Sequence, residues 1–319
     1  MLRCVVLDDY QGVALDLADW SPLAGKVAVT ALRHHLPGED DLVAALADTD
    51  VVVVMRERTP LPASVFARLP RLRLVVSTGR RNSAVDVAAA ARHGVVVCGT
   101  GSSPVPPAEL TWALILGLAR NVAHENAAFH AGGLWQSTVG VELAGRTLGV
   151  IGLGRIGSRV ARIGLAFGMD VVAWSPNLTR ERAAEAGAAA AADLGALLEA
   201  ADFVTVHLAL GDRSRGLLGR AELARMRPSA YLVNTARSAI VDTPALVEAL
   251  RGGRIAGAGL DVFDREPVPA DDALRTLPTV LATPHLGYVA QDNYRTFYGE
   301  AVEDIAAFLD GAPIRVLTP

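Results

Sequence analysis

The chain has 319 residues, 51% of them hydrophobic and 20% charged, with a formal net charge of −4. That composition suits large buried cores and excludes an intrinsically disordered chain. The negative balance, with no Lys/Arg run, argues against a nucleic-acid surface.

The length allows two domains of ordinary size. Cys4 and Cys98 both sit in apolar, strand-like runs, which reads as buried thiols in a reducing compartment and not as a disulfide or a nucleophile. The opening MLRCVVLDDY enters a strand directly, without the features of a signal peptide. No uninterrupted apolar run reaches membrane-spanning length. A cytoplasmic protein is expected, with no membrane partner.

The first hundred residues alternate β-rich runs with alanine-rich helical segments. Strands are expected at Arg3–Leu7, Val27–Leu32, Asp50–Met55, Leu72–Ser77 and Val95–Cys98, and helices at Asp40–Ala47, Ala63–Leu69 and Val85–Arg92. This alternation predicts a parallel α/β sheet, and the VVVV run at 51–54 suits a strand covered on both faces. The Gly-, Ser- and Pro-rich stretch from Gly99 to Pro107 reads as a linker or hinge. Beyond it the spacing predicts one long helix from Ala108 to about His130. Leu110, Leu114, Leu118 and Val122 fall on one stripe, and Trp112, Ile115 and Leu116 make other sides apolar too. Gly132 to Gly145 reads as a projecting loop.

The chain is organised around Thr147 to Gly168. Leu148, Gly149, Val150 and Ile151 read as a buried strand; Gly152, Gly154 and Gly157 follow with G-x-G-x-x-G spacing, and then Ile156, Val160, Ile163 and Phe167 at helical spacing. In a dinucleotide-binding turn the first glycine permits the tight turn, the second lets a pyrophosphate approach the backbone, and the third lets helix and strand pack closely. The helix start then offers free N–H groups and a partial positive charge to the phosphates. Gly152, Gly154, Arg155, Ile156 and Gly157 are the expected pyrophosphate-binding residues.

A second β/α series follows, with strands at Asp170–Trp174, Phe203–His207, Tyr231–Asn234, Ile255–Asp261 and Val280–Ala282. With the strand before the glycines this makes six, as in a full doubly wound nucleotide domain. Helices are expected at Arg180–Ala186, Asp193–Glu199, Ala221–Arg225 and Thr243–Arg251, and a last one at about Asp292–Leu309 returns to the first domain. The expected fold is α/β, two Rossmann-like or flavodoxin-like parallel-sheet domains. A nucleotide domain, 101–286, is inserted into a discontinuous substrate domain, 1–100 plus 287–319.

About twenty residues past such glycines an NAD-binding chain carries Asp or Glu for the adenosine ribose. Here that strand ends in Ser175-Pro176-Asn177, with no carboxylate. Nothing there would repel a 2′-phosphate, and Ser175, Asn177, Thr179 or Arg180 could contact one; Ser175 or Asn177 could equally bond the plain ribose. Both NAD and NADP fit, with NADP favoured by the missing acid. His207, at the end of another strand, joins the cofactor-binding set, although a structural part is the stronger reading for it.

Three further polar residues follow strands: Arg237 in VNTARS, Glu266 in DVFDREP and His285 in TPHLG. Loops after the carboxyl ends of parallel strands line the ligand crevice. Singly each is unremarkable. Together, an imidazole can exchange the proton of an alcohol, a carboxylate can orient and charge that imidazole, and a guanidinium can grip a substrate carboxylate. His34, His35, His93, His124 and His130 show no metal-ligand spacing, and no HExxH or CxxC occurs, so no metal is expected.

With these motifs in view the chain resembles the D-isomer-specific 2-hydroxyacid dehydrogenase family from end to end. The likeness covers GLGRIG at 152–157, NTARS at 234–238, LDVFDREP at 260–267 and TPHLG at 283–287, in the family's order. It extends to STGRRNSAVDVAAAARHGVVV at 77–97 and PPAELTWALILGLAR at 106–120. The resemblance implies an oxidoreductase passing hydride between NAD(P)H and a small 2-oxoacid to give the D-2-hydroxyacid. His285 is then the acid/base with Glu266 as its partner, and Arg237 binds the substrate carboxylate. It further implies that Asp261 holds the nicotinamide carboxamide, that Thr235, Ala236 and Gly287 line the cofactor pocket, and that Ser77, Thr78, Gly79 and Arg80 present N–H groups to the substrate. Family dimers use the region equivalent to about 104–145, so a homodimer is implied.

Departures from the commoner pattern are Ser238 in place of a glycine, Ser175 in place of the acidic ribose ligand, and the Arg80-Arg81 pair, which could hold a second anionic group or lie solvated. Two alternatives stand beside this reading: a non-catalytic, NAD(H)-sensing scaffold of the same fold, and a dehydrogenase of another small acid such as 3-phosphoglycerate, formate or phosphite. Retention of all three catalytic residues weighs against the scaffold, and the short stretch after the last helix weighs against a phosphoglycerate enzyme with a regulatory domain.

Overall fold

A computed structural model describes residues 1–319 and divides into two compact units, Met1–Ser103 with Val289–Pro319, and Pro104–Tyr288. In the first, β1 (Leu2–Val6), β2 (Val27–Ala31), β3 (Val51–Val54), β4 (Leu74–Ser77) and β5 (Val96–Gly99) form a parallel sheet of order β2-β1-β3-β4-β5. The helices α1 (Glu39–Leu46), α2 (Ala63–Arg68) and α3 (Val87–Arg92) connect them. All four valines of β3 are fully buried, which is why that strand reads as an unbroken apolar run: a central parallel strand has no solvent face.

The second unit begins with α4 (Val105–Ala119) and α5 (Val122–His130). It continues with β6 (Thr147–Ile151), α6 (Arg155–Ala166), β7 (Asp170–Trp174), α7 (Arg180–Glu185), β8 (Ala189–Ala190), α8 (Leu194–Ala200) and β9 (Phe203–Val206). The remainder is α9 (Arg220–Leu223), β10 (Tyr231–Asn234), α10 (Thr243–Arg251), β11 (Gly257–Leu260) and β12 (Val280–Ala282). The sheet is parallel, in the order β12-β11-β10-β9-β6-β7-β8. One core holds Ile151, Val204, Val206 and Leu232, and another holds Val150, Phe203 and Val233. Neighbours along β6, β9 and β10 thus alternate between the cores, so helices cover the sheet on both faces. The last helix, α11 (Gln291–Leu309), packs on β4 of the first unit. No helix is long and apolar enough to cross a membrane, and both cysteines are buried and free.

Two expectations are corrected. The second sheet has seven strands, not six. The extra one, β8, is a two-residue edge strand paired with Val172 and Ala173; its two alanines lie in an alanine-rich run that carries no β signal, and only the neighbouring strand supplies the pairing. The long helix from 108 to 130 is two helices. Asn121 takes a left-handed backbone with φ +52, a conformation asparagine tolerates better than most residues, and the chain turns there. The first of the pair also starts earlier, at Val105, because prolines at 106 and 107 are well suited to a first helical turn, where their missing N–H is not needed.

Candidate active site

Because every strand of the second sheet runs the same way, the loops after β7, β6, β9, β10, β11 and β12 emerge along one edge in that spatial order. The strand order reverses direction between β6 and β9, the topological switch point of an open α/β sheet. The glycine turn lies there. Gly152 has φ +100, and a Cβ on it would sit 2.8 Å from the backbone carbon of His207, just past β9. A Cβ on Gly157 would lie 2.0 Å from the carbonyl oxygen of Gly152. Gly154 differs: a Cβ there would meet nothing within 4 Å. The first and third glycines are therefore demanded by internal packing, and the second leaves open space in front of α6. No side chain caps that helix's first N–H groups, so they are available to an anion. The cradle fits a dinucleotide pyrophosphate.

After β7, Ser175 is half-buried and Asn177 exposed, and residues 175–180 contain no carboxylate. The Thr179 hydroxyl accepts from the Arg182 N–H at 3.3 Å and caps α7. On the neighbouring side of β6, His207 Nε2 lies 2.9 Å from the Thr205 hydroxyl. Burial pushes its pKa down to about 3, so the ring is neutral at ordinary pH.

Arg237 follows β10 in a tightly held turn. The buried Asn234 spans it: Oδ1 accepts the Ala236 N–H and Nδ2 donates to the Arg237 carbonyl, both at 3.0 Å. The Arg237 guanidinium donates through Nη1 to the Ala236 carbonyl at 2.7 Å. The Thr235 hydroxyl is 2.8 Å from that of Thr111 on α4.

Asp261 follows β11 and is fully buried. Its Oδ1 accepts from the Thr283 hydroxyl at 2.6 Å and the Leu286 N–H at 2.7 Å, and its Oδ2 from the Gly287 N–H at 2.8 Å. Burial raises its pKa against these donors and the nearby His285, which lower it. The carboxylate thus pins the loop after β12 to the end of β11. Within that loop His285 has φ +54, a left-handed conformation a non-glycine residue holds only under local constraint. The constraint places Nδ1 2.6 Å from Glu266 Oε2, while Glu266 Oε1 accepts the Phe263 N–H at 3.0 Å. One carboxylate is held by the backbone and in turn holds the imidazole.

A sequence profile of the D-isomer specific 2-hydroxyacid dehydrogenase NAD binding domain matches residues 112–287. The chain is 38% identical over 289 residues to the glyoxylate reductase of Aeropyrum pernix, covering 88% of this chain and 85% of that protein. It is 37% identical over 276 residues to the D-3-phosphoglycerate dehydrogenase of Methanocaldococcus jannaschii, covering 86% of this chain but only 52% of that one. A crystal structure of phosphoglycerate oxidoreductase from Vibrio cholerae superposes with a TM-score of 0.93 at 37% identity, covering 98% and 100% of the two chains. The chain belongs to the D-isomer-specific 2-hydroxyacid dehydrogenase family. It spans about half the length of the M. jannaschii relative.

The segment that the family resemblance assigns to the substrate, Ser77 to Arg80, lies in the first unit at the end of β4. Ser77, Thr78 and Gly79 are buried and Arg80 is exposed. The Thr78 N–H donates to the Val54 carbonyl at 3.0 Å and the Gly79 N–H to the Thr100 hydroxyl at 2.8 Å. Those two amides are thus engaged within the unit. Three residues that shape this family member's candidate site were not singled out in the sequence: Asn234, Thr283 and Thr111. Asn234 stood inside the NTARS motif and Thr283 inside TPHLG, so their motif membership was the available signal. Thr111 offered none, being a polar residue in an apolar helix whose partner lies 124 positions away. No cluster of three or more His, Cys, Asp and Glu side chains in this family member is arranged to hold a metal ion.

Proposed function

We propose that the chain is an NAD(P)-dependent D-2-hydroxyacid dehydrogenase interconverting a small 2-oxoacid and its D-2-hydroxyacid. The observation that carries this reading is the Glu266–His285 pair at 2.6 Å, on strand ends that neighbour the Arg237 turn.

Gly152, Gly154, Arg155, Ile156 and Gly157 hold the cofactor's pyrophosphate at the start of α6. Ser175 and Asn177 meet the adenosine ribose, and the absence of a carboxylate there favours NADP. Thr235, Ala236, Asp261, His207 and Gly287 border the nicotinamide end. Asp261, fully buried and already accepting three hydrogen bonds, serves the nicotinamide end by holding the Leu286–Gly287 backbone in place. When bound, the cofactor supplies the hydride that reduces C2 of the oxoacid. Arg237 binds the substrate carboxylate as a charge-assisted fork. His285, protonated and oriented through Nδ1 by Glu266, delivers a proton from Nε2 to the C2 oxygen; in the reverse direction the neutral imidazole takes it back. Arg80 is the candidate for a second anionic group on the substrate.

The active form proposed is a homodimer through 104–145. No residue of α5 is buried, and Val122, Phe129, Leu134, Trp135 and Val139 are 55–95% exposed, a concentration of apolar side chains that supports association there.

The test is absorbance at 340 nm with NADH and NADPH in parallel against glyoxylate, hydroxypyruvate, pyruvate, phenylpyruvate and oxaloacetate. Because relatives bear the name D-3-phosphoglycerate dehydrogenase, 3-phosphoglycerate with NAD⁺ and NADP⁺ completes the panel. Oxidation of cofactor by an oxoacid, abolished in H285A and R237Q, is expected. An H285A enzyme as fast as wild type would remove His285 from the chemistry.

A further inference from the structure

The first two turns of α4 touch two of the loops that carry candidate chemistry. Thr111, fully buried, donates its hydroxyl proton to the Pro107 carbonyl at 2.7 Å. The same oxygen lies 2.8 Å from the Thr235 hydroxyl. Pro107 in turn lies beside Gly287: a Cβ built on that glycine would sit 3.6 Å from the proline's Cβ. One helical turn thus braces both the Arg237 turn after β10 and the His285 loop after β12.

The direction of this hydroxyl chain is fixed by chemistry. A carbonyl oxygen only accepts, and a threonine hydroxyl has one proton. With the Thr111 proton committed to Pro107, Thr235 must donate to Thr111. The Thr235 oxygen is then left with lone pairs alone, an acceptor toward any ligand beside it.

We infer that Thr111 is a positioning residue: it holds the Thr235–Arg237 turn and fixes Thr235 as an acceptor for the N–H of the cofactor's carboxamide. This rests on the proposed function. It goes beyond that reading by assigning a role to a helix residue outside the motifs, and by setting the polarity of the contact.

The experiment compares dissociation constants for three probes, read by intrinsic fluorescence or calorimetry on the intact protein. They are the reduced cofactor that wild type prefers, its 3-acetylpyridine analogue, in which a methyl ketone replaces the amide and no N–H remains, and ADP-ribose (its 2′-phosphate if wild type prefers NADPH), which lacks the nicotinamide. In wild type the amide cofactor binds more tightly than the ketone analogue. Thr111→Val, which keeps shape but loses the hydroxyl, is expected to shrink that preference by about three- to tenfold, the worth of one neutral hydrogen bond. It should leave the adenosine probe unchanged, and Thr111→Ser should restore the preference. Thr235→Val should shrink it as much, and the double variant no further, since both remove one shared link.

An unchanged preference in both valine variants overturns the inference. So does a Thr111→Val protein that loses affinity for the adenosine probe in parallel, because that is a packing defect. If these fail while R237Q is inactive and wild type turns over, the dehydrogenase reading stands and only the role of Thr111 falls. A wild type that bound none of the three probes would overturn both.

Discussion

Oε2 of Glu266 lies 2.6 Å from Nδ1 of His285, while Oε1 of the same carboxylate takes the Phe263 N–H at 3.0 Å. The backbone bond holds the carboxylate, and the left-handed backbone at His285, with φ +54, turns the ring toward it.

E266Q keeps the side chain's shape but replaces the charge-assisted contact to the imidazole with a weaker neutral one, so kcat/KM for 2-oxoacid reduction should fall by about tenfold. Oxidation of the hydroxyacid should fall with it, because the same ring exchanges the proton in both directions. Measuring kcat/KM in both directions decides it. An E266Q enzyme as fast as wild type would show that the Glu266 contact does not serve the chemistry.

The Glu266–His285 pair also shows how far the sequence carries. Both residues follow apolar strands, and open parallel sheets put such loops on one edge, so their shared rim followed from pattern alone. The 2.6 Å contact did not, because it depends on Asp261 bonding Leu286 and Gly287 across two strand ends. Similarly, the glycine spacing at 152–157 announced the turn, but only the packed surroundings separate Gly154, with open space, from Gly152 and Gly157, with none. The elements that the pattern does not show have local causes. Asn121 breaks an apolar stripe through a backbone conformation that periodicity does not register, and β8 is two alanines made into a strand by β7.

Under the proposed reading, cofactor preference turns on the end of β7. Ser175 is half-buried and no acid lies in 175–180, so a 2′-phosphate meets no like charge there. In S175D the new carboxylate repels that phosphate and offers an acceptor pair to a free 2′-hydroxyl. The ratio of kcat/KM for NADPH over NADH should fall by at least tenfold, since a like charge at close range costs on the order of 1 to 2 kcal/mol near a surface. An unchanged ratio would place cofactor discrimination elsewhere than at Ser175.

Association is tested on the apolar surface. Phe129 and Trp135 are 63% and 79% exposed and their ring centroids lie 6.3 Å apart. W135E places a charge where a partner surface would have to desolvate it. Light scattering after size exclusion should show a dimer in wild type and a concentration-dependent shift toward monomer in W135E, with the melting temperature of the isolated chain little changed. Identical masses for the two proteins would exclude Trp135 from any interface.

A last prediction concerns the first unit, where the C-terminal segment lies along β5. Leu317 N–H donates to the Val97 carbonyl at 2.7 Å and Gly99 N–H to the Arg315 carbonyl at 3.0 Å. Arg315 is tied to α11 by Nε to Asp304 Oδ1 at 2.9 Å and by Nη2 to Glu303 Oε2 at 2.8 Å. Asp304 is fully buried, and its Oδ2 has no hydrogen-bond partner. Burial raises its pKa to about 6, although Arg315 pulls the other way. The folded value then lies above that of an unfolded aspartate, about 3.9. Between those values the native state binds more protons than the unfolded one, so this group's contribution to stability falls as pH rises from about 4 to about 6 and stays low above. The shift corresponds to a penalty on the order of 2 to 3 kcal/mol at neutral pH. D304N removes the titration while keeping an acceptor for Arg315. The melting temperature of D304N minus that of wild type should therefore climb by several degrees between pH 4.5 and 7 and then level off. A difference that stays flat across that interval would show that the Arg315 guanidinium already compensates the buried charge in full.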